Sequence, residues 1–269
     1  MSANPVDMNA VVGTHDIVFV TLDTLRYDVA QAEFEQGRLP VFQSLLPPGG
    51  WERRHTPGSF TYAAHHAFFA GFLPTPSEGG PDARLFATAF VGSQTTSDTT
   101  YVCDQADIVS GLAASGYHTV CIGGVGFFNR QTALSRVLPD LFAESHWSPS
   151  MGVGARHSTE RQVALACRRL AELPGRVMLF INVSAIHRPN RCHLPGATVD
   201  SMHTHAAALR YVDGALAPLW SACRQRGPSF VIVCSDHGSA YGEDGHQGHR
   251  VAHECVWTVP YAHFFLEPS

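Results

Sequence analysis

Ser235-Asp236-His237-Gly238 closes the apolar run Phe230-Val231-Ile232-Val233-Cys234. A carboxylate and an imidazole side by side at the end of such a run can hold a divalent cation. The mixed oxygen and nitrogen set suits Zn²⁺ first and Mn²⁺ second, ahead of Ca²⁺ or Mg²⁺, which prefer all-oxygen shells. Gly238 permits a sharp turn or a close approach to a ligand. The segment continues as Tyr241-Gly242-Glu243-Asp244-Gly245-His246-Gln247-Gly248-His249, which places His237, His246 and His249 on one short stretch. An isolated Asp-His pair would serve equally as a cap for a strand or helix. What turns it toward metal chemistry is a second strand end of the same kind. Asp16-Ile17-Val18-Phe19-Val20-Thr21-Leu22 runs into Asp23-Thr24-Leu25-Arg26-Tyr27-Asp28. In open α/β sheets ligands sit beyond the carboxyl ends of the strands, so Asp23 and Asp236 are expected to meet at one sheet edge.

The elements that must position these residues alternate along the chain. Apolar runs at 16–22, 86–91, 117–122, 177–183 and 229–234 read as strands, and helical patterns occur near 61–71, 105–115, 158–173 and 202–224. This alternation predicts an α/β fold with a mostly parallel central sheet and helices on both faces. Residues 259–265 predict a late edge strand, with Pro260 near its start. Residues 75–82 and 148–154 read as loops, and no internal repeat is present, so residues 1–269 are expected to form one domain.

Composition narrows the function classes. The chain has 269 residues, 45% hydrophobic and 15% charged, with a net charge of −5. A substantial core is therefore possible, while the absence of a basic stripe disfavours a nucleic-acid partner. No apolar run reaches the length of a membrane span, and residues 1–9 lack the pattern of a secretory leader, so no membrane partner is expected. Seven cysteines (103, 121, 167, 192, 223, 234 and 255) are dispersed without a C-x-x-C pair, a pattern that predicts reduced thiols and a cytoplasmic location. All 18 basic residues are arginine.

Residues 16–28, 61–74, 184–189 and 235–249 together resemble the alkaline phosphatase superfamily, most closely its sulfatase-like branch. Against that family the chain stops soon after the last metal motif, which implies that the usual C-terminal subdomain is missing. Aligning Ser59-Phe60-Thr61-Tyr62-Ala63-Ala64-His65-His66-Ala67-Phe68-Phe69-Ala70-Gly71-Phe72-Leu73-Pro74 on Gly71 and Pro74 puts Thr61 at the nucleophile position and His65 at the family's Arg/His position. A hydroxyl at a helix start faces unpaired N–H groups that attract a phosphate, and metal coordination would supply the activation that a threonine lacks. The competing reading makes Thr61 a helix N-cap. The resemblance implies a metal site of Asp23, Thr61, Asp236 and His237. The departures from the family are chemical. Thr61-Tyr62-Ala63-Ala64-His65 cannot be converted to formylglycine. Thr24 stands where sulfatases carry a second Asp, His237 stands where they carry Asn, and Gly123-Gly124 replaces Gly-Lys. Phosphoryl rather than sulfate chemistry follows, as in the threonine-nucleophile phosphodiesterase and phosphoethanolamine transferase members.

His187, before Arg188-Pro189, and His249, thirteen residues after Asp236, match later histidines of the family and are assigned to phosphoryl oxygens or the leaving group. No Asp occurs between Val177 and His187, with Asn182 the nearest polar residue, so a second metal site is incomplete. His246 and His253 are spares in the same stretch; His65, His66, His118 and His263 are assigned to structure. Arg26 and Asp28 are expected to brace the first metal loop, and Arg188 to reach a phosphate. The expected activity is metal-dependent hydrolysis of a small-molecule phosphomono- or phosphodiester. The alternatives are phosphotransfer or a mutase reaction through the same phosphothreonine, or metal binding without turnover. Substrate choice is expected to lie in residues 75–82, 129–147 and 190–199.

Overall fold

The computed structural model describes residues 6–71 and 106–269, with the backbone of Thr88–Phe90 and Tyr101–Cys103. Among them a seven-stranded sheet runs in the order Glu52–His55, Thr258–Leu266, Ser229–Cys234, Asp16–Leu22, Val177–Val183, His118–Ile122, Glu144–His146. Asp16–Leu22 lies at the centre, parallel to Val177–Val183 on one side and to Ser229–Cys234 on the other. Thr258–Leu266 is antiparallel to both of its neighbours. The fold is α/β with a mostly parallel sheet and helices on both faces, as the alternation of elements implies.

The central strands are apolar at nearly every position because both faces are covered. Val18, Val20 and Leu22 point with Val177, Leu179, Ile181 and Val183 into one core, under the helices Tyr27–Glu35, Ser158–Glu172 and Met202–Arg226. Ile17, Phe19, Met178 and Phe180 point to the other face, where Phe69, Phe128 and Phe142 pack against them. The helix Thr61–Ala70 covers this second face and stops at Gly71, whose φ of 79° is the left-handed conformation that glycine adopts without a Cβ clash.

Several expectations need correction. Residues 259–265 were expected at the sheet edge, yet Glu52–His55 pairs outside them, through Pro260 opposite Arg53. That edge strand is Glu-Arg-Arg-His, with no apolar signal; it needs only backbone pairing, and its charges guard the open edge. The run 86–91 yields Thr88–Phe90, which pairs with Tyr101–Cys103 in a separate two-stranded sheet. Within the stretch 129–147, expected to govern substrate choice, Glu144–His146 forms the opposite edge of the main sheet. Residues 75–82, Pro74 and the side chain of Cys103 lie outside the described residues.

Phe180 is fully buried and meets Phe19, His65, Phe69, Phe128 and Phe142 with ring centroids 5.1–5.8 Å apart. Phe180→Ala should lower stability by about 3–5 kcal/mol, measured as a lower urea midpoint at unchanged slope.

Candidate metal centre and active site

Parallel pairing sets Thr21 opposite Cys234, so the next residues of both strands leave the sheet together. Hydrogen bonds hold the end of Asp16–Leu22 in step with both neighbouring strands: Ser235 Oγ to the Leu22 carbonyl at 2.8 Å on one side, and Asp23 N–H to the Val183 carbonyl at 3.0 Å on the other. Asp23, Asp236 and His237 are all fully buried, and their ligand atoms lie within 4.8 Å of one another. His237 Nε2 is 3.4 Å from Asp236 Oδ2 and 3.9 Å from Asp23 Oδ1. Its other nitrogen, Nδ1, donates to the Gly238 carbonyl at 2.9 Å, which leaves Nε2 as the lone-pair nitrogen turned toward the carboxylates.

Each carboxylate has one oxygen satisfied and one bare. Asp236 Oδ1 accepts from the backbone N–H groups of Thr24 and His237 at 3.2 and 3.0 Å. Thr24 presents its N–H from a left-handed φ of 65°, a strained conformation for a β-branched residue. Asp23 Oδ2 accepts from Asn182 Nδ2 at 3.1 Å. Asp23 Oδ1 and Asp236 Oδ2 have no hydrogen-bond partner. Burial pushes Asp236 up to about 7; burial, then the charge of Asp236, raises Asp23 to about 6. A divalent cation supplies the counter-charge that lets both carboxyls ionise and uses both bare oxygens, so the residues present fit a metal.

Thr61 is the first residue of its helix, and Phe60 holds the N-cap position. The Thr61 hydroxyl faces Asp23 Oδ2 and His237 Nε2, each at 3.4 Å, instead of turning back to cap the helix. The N-cap reading therefore does not describe this side chain. His249 and His187 are half-buried and extend the row of imidazoles: ring centroids are 4.6 Å apart for His237 and His249, and 5.4 Å for His187 and His249. Burial, then the neighbouring imidazoles, lowers His249 to about 3, which keeps it neutral. The structure thus brings together Asp23, Thr61, Asp236, His237, His187 and His249.

The other candidates separate from this centre. His253 caps the short helix Glu254–Trp257 and lies 3.2 Å from Asp244, and His246 is exposed. Asn182, the polar stand-in for the missing Asp, orients Asp23. Arg26 pairs with Asp28 at 2.6 Å and with Glu243, so it ties the first metal loop to the second. Arg188 lies over the Tyr241 ring at 4.9 Å and donates to the Ala240 carbonyl at 3.2 Å, bracing the same loop. Gly238 is needed for close approach, because a Cβ there would stand 1.9 Å from the Cys255 carbonyl. Gly123 and Gly124 are similarly confined: a Cβ at 124 would lie 2.3 Å from the Asn182 carbonyl, and one at 123 would lie 2.2 Å from Phe128 Cβ.

Sequence reading passed over the outer support. Asn190 links Thr204, the Ile186 carbonyl and the Tyr241 hydroxyl, and Tyr241 meets His205 Nδ1 at 3.0 Å. His205 Nε2 accepts from Arg26 N–H at 3.4 Å. Thr21 was also missed, although its place two residues before Asp23 on a strand puts both on one face.

No protein-family model and no curated protein sequence matches this chain. Solved structures match over most of its length. The soluble domain of lipooligosaccharide phosphoethanolamine transferase A from Neisseria meningitidis is 13% identical, with a TM-score of 0.66 over 94% of this chain and 77% of that one. The periplasmic C-terminal domain of EptC from Escherichia coli, in complex with zinc, is 14% identical, with a TM-score of 0.64 over 96% and 73%. An alkaline phosphatase superfamily protein from Vibrio parahaemolyticus is 16% identical, with a TM-score of 0.60 over 95% and 62%. The fold is alkaline phosphatase-like. Solved representatives of this alkaline phosphatase-like fold include periplasmic domains, and they overturn the expected cytoplasmic location. The cysteine argument fails on physical grounds as well. Cys121, Cys223 and Cys234 are free but buried, with thiols pushed well above their usual range, so they stay unreactive without a reducing compartment. No described helix is long and apolar enough to cross a membrane.

Asp236→Asn should weaken zinc binding by more than about 100-fold, beyond the 10- to 100-fold typical of outer supports, with the circular dichroism spectrum unchanged; elemental analysis after dialysis reads it. A second outcome concerns acid. Burial, then Arg26, lowers His205 to about 3, whereas an unfolded imidazole titrates near 6.5. Unfolding therefore takes up a proton below pH 6.5. The contribution is complete above that pH and is lost as pH falls toward 3, by about 1.4 kcal/mol per pH unit. Urea unfolding at stepped pH should show this slope, and His205→Gln should reduce it by one proton.

Proposed function

We propose that this chain cleaves phosphoesters through Thr61, with a divalent metal held by Asp23, Asp236, His237 and the Thr61 hydroxyl. The observation that carries the reading is that Thr61 Oγ1 lies 3.4 Å from both Asp23 and His237, within the buried Asp23, Asp236 and His237 cluster, where Asp23 Oδ1 and Asp236 Oδ2 have no hydrogen-bond partner. A bound divalent metal lowers the pKa of a coordinated hydroxyl and offsets charge that develops on phosphoryl oxygens. Zinc is the first choice, on the oxygen and nitrogen donor set and on the zinc-bound EptC domain of the same fold. Thr61 Oγ attacks phosphorus, the ester oxygen leaves, and a phosphothreonine forms. His249 and His187 stand beside His237, and the neutral ring of His249 is placed to take up the Thr61 proton and return it to the departing ester oxygen.

Phosphate is favoured over sulfate by the residues themselves. Thr61 cannot become formylglycine, and the chain has no lysine to contact a sulfate. At the Gly123-Gly124 site, the Asn182 carbonyl and Phe128 fill the space a side chain would need. Water as the final acceptor makes the chain a hydrolase. An alcohol acceptor makes it a transferase, a reading favoured by the phosphoethanolamine transferases that share the fold.

Turnover on p-nitrophenyl phosphomono- and phosphodiesters should exceed turnover on p-nitrophenyl sulfate, and a sulfate preference would overturn the reading. Thr61→Ala should lower kcat per metal-loaded molecule by at least ~10³-fold, with metal retained, and Thr61→Ser should keep measurable activity. Product analysis with ethanolamine or glycerol in the assay separates the two acceptors: a phosphorylated alcohol marks a transferase, inorganic phosphate alone a hydrolase.

A further inference from the structure

Asp23 and Thr61 come to the site from different elements, a strand end and a helix start, and buried side chains close a ring between them. Asp23 Oδ2 lies 3.4 Å from Thr61 Oγ1 and 3.1 Å from Asn182 Nδ2. Asn182 Nδ2 also donates to Thr21 Oγ1 at 3.3 Å. Thr21 Oγ1 is 3.0 Å from His65 Nε2, and His65 Nδ1 is 2.7 Å from the Thr61 carbonyl. The carbonyl can only accept, so His65 carries its proton on Nδ1. Nε2 is then an acceptor, filled by the Thr21 hydroxyl, whose oxygen in turn accepts from Asn182. Asn182 Oδ1 is used by Val125 N–H at 3.1 Å, which turns the amide nitrogen toward Asp23 and Thr21. Every bond direction is thereby set.

Thr21, Asp23, His65 and Asn182 are fully buried, so water cannot replace a missing member. His65 sits beneath the reacting groups, ringed by Phe68, Phe69, Phe128 and Phe180 with centroids 5.4–6.0 Å away. A space-filling role there would suit a hydrocarbon; instead an imidazole has both nitrogens engaged. We propose that His65 is a positioning residue: with Thr21 and Asn182 it fixes the Thr61 hydroxyl and the Asp23 carboxylate on one point. The inference rests on the reading that these two groups act together. Burial lowers His65 to about 3, consistent with the neutral ring that the hydrogen bonds require.

The test uses the full chain with the zinc ion as probe. Long-range ¹H–¹⁵N spectra of histidine-labelled, unaltered protein should show His65 as the Nδ1–H tautomer; an Nε2–H ring overturns the proposal, and no variant has to fold for this arm. Thr21→Val, which keeps shape and deletes the hydroxyl, should weaken zinc affinity in a chelator competition by about 10- to 100-fold. On a p-nitrophenyl phosphodiester it should lower kcat by a similar factor with KM unchanged, and Thr21→Ser should restore both. Wild-type zinc affinity in Thr21→Val, or no recovery in Thr21→Ser, overturns the ring. If the unaltered protein holds zinc yet cleaves no phosphoester, the functional proposal falls while the zinc and spectral arms still decide the ring.

Discussion

Two carboxylates buried side by side are the constraint around which this protein is built. Asp23 and Asp236 leave adjacent parallel strands at the same level, wholly out of water, and each keeps one oxygen without a donor. Like charges in a dry site repel, and each also loses hydration. The surrounding geometry leaves that tension in place and directs it. Donors are spent on the outward oxygens: Thr24 N–H, His237 N–H and Asn182 Nδ2. The inward oxygens have no hydrogen-bond donor and face His237 Nε2, with the Thr61 hydroxyl at 3.4 Å from that nitrogen and His65 Nδ1 at 3.7 Å from Asp236 Oδ2. A site wired this way gains most from a cation, so cation affinity and the stability of this end of the sheet are coupled.

The two faces of the sheet divide the work that follows. On one face Val18, Val20 and Leu22 join a continuous apolar core under the long helix Met202–Arg226. On the other, the same strand places Phe19 and then Thr21 beneath the helix that carries Thr61, and the next strand places Phe180 and Asn182 beside them. Packing thus passes into hydrogen bonding along one face within a few residues. Outside this centre, Arg26 with Asp28 and Glu243, and Arg188 with Tyr241, join the loops that follow the two strands.

What could be read from the chain follows from what each element demands of its side chains. A strand buried on both faces must be apolar throughout, so 177–183 and 229–234 announce themselves to the residue. The strand Glu52–His55 demands only a backbone, and nothing in Glu-Arg-Arg-His shows that it pairs. The helix Tyr27–Glu35 buries Val29, Ala30, Glu33 and Phe34 on one side; its signal was present but diluted by Glu33, which is buried only because Arg38 and Arg210 pair with it. At the centre, Asp23, Asp236 and His237 were legible from two strand ends, whereas Thr61 stood out only through the family resemblance, because a helix start by itself favours an N-cap. Asn190, His205 and Tyr241 were not, because their partners lie far away in sequence and no local spacing records them.

The arginines explain why the metal and the imidazoles carry so much of the proposed chemistry. In a lysine-free chain, guanidinium groups are the only permanent cations available to a phosphoryl group. Arg250 lies over the Phe60 ring at 5.0 Å, while Arg26 is bound to Asp28 and Glu243, and Arg188 donates to Ala240 and Gln247 while lying over Tyr241. The planar forks of Arg26 and Arg188 hold several acceptors at once, which suits bracing better than a flexible ammonium would. On the proposed reading, charge that builds on the phosphoryl oxygens is met at the centre by the cation, with His249 and His187 beside it. A neutral His249 moves a proton without adding a second permanent positive charge beside the metal, so it does not compete with the cation for the two carboxylates.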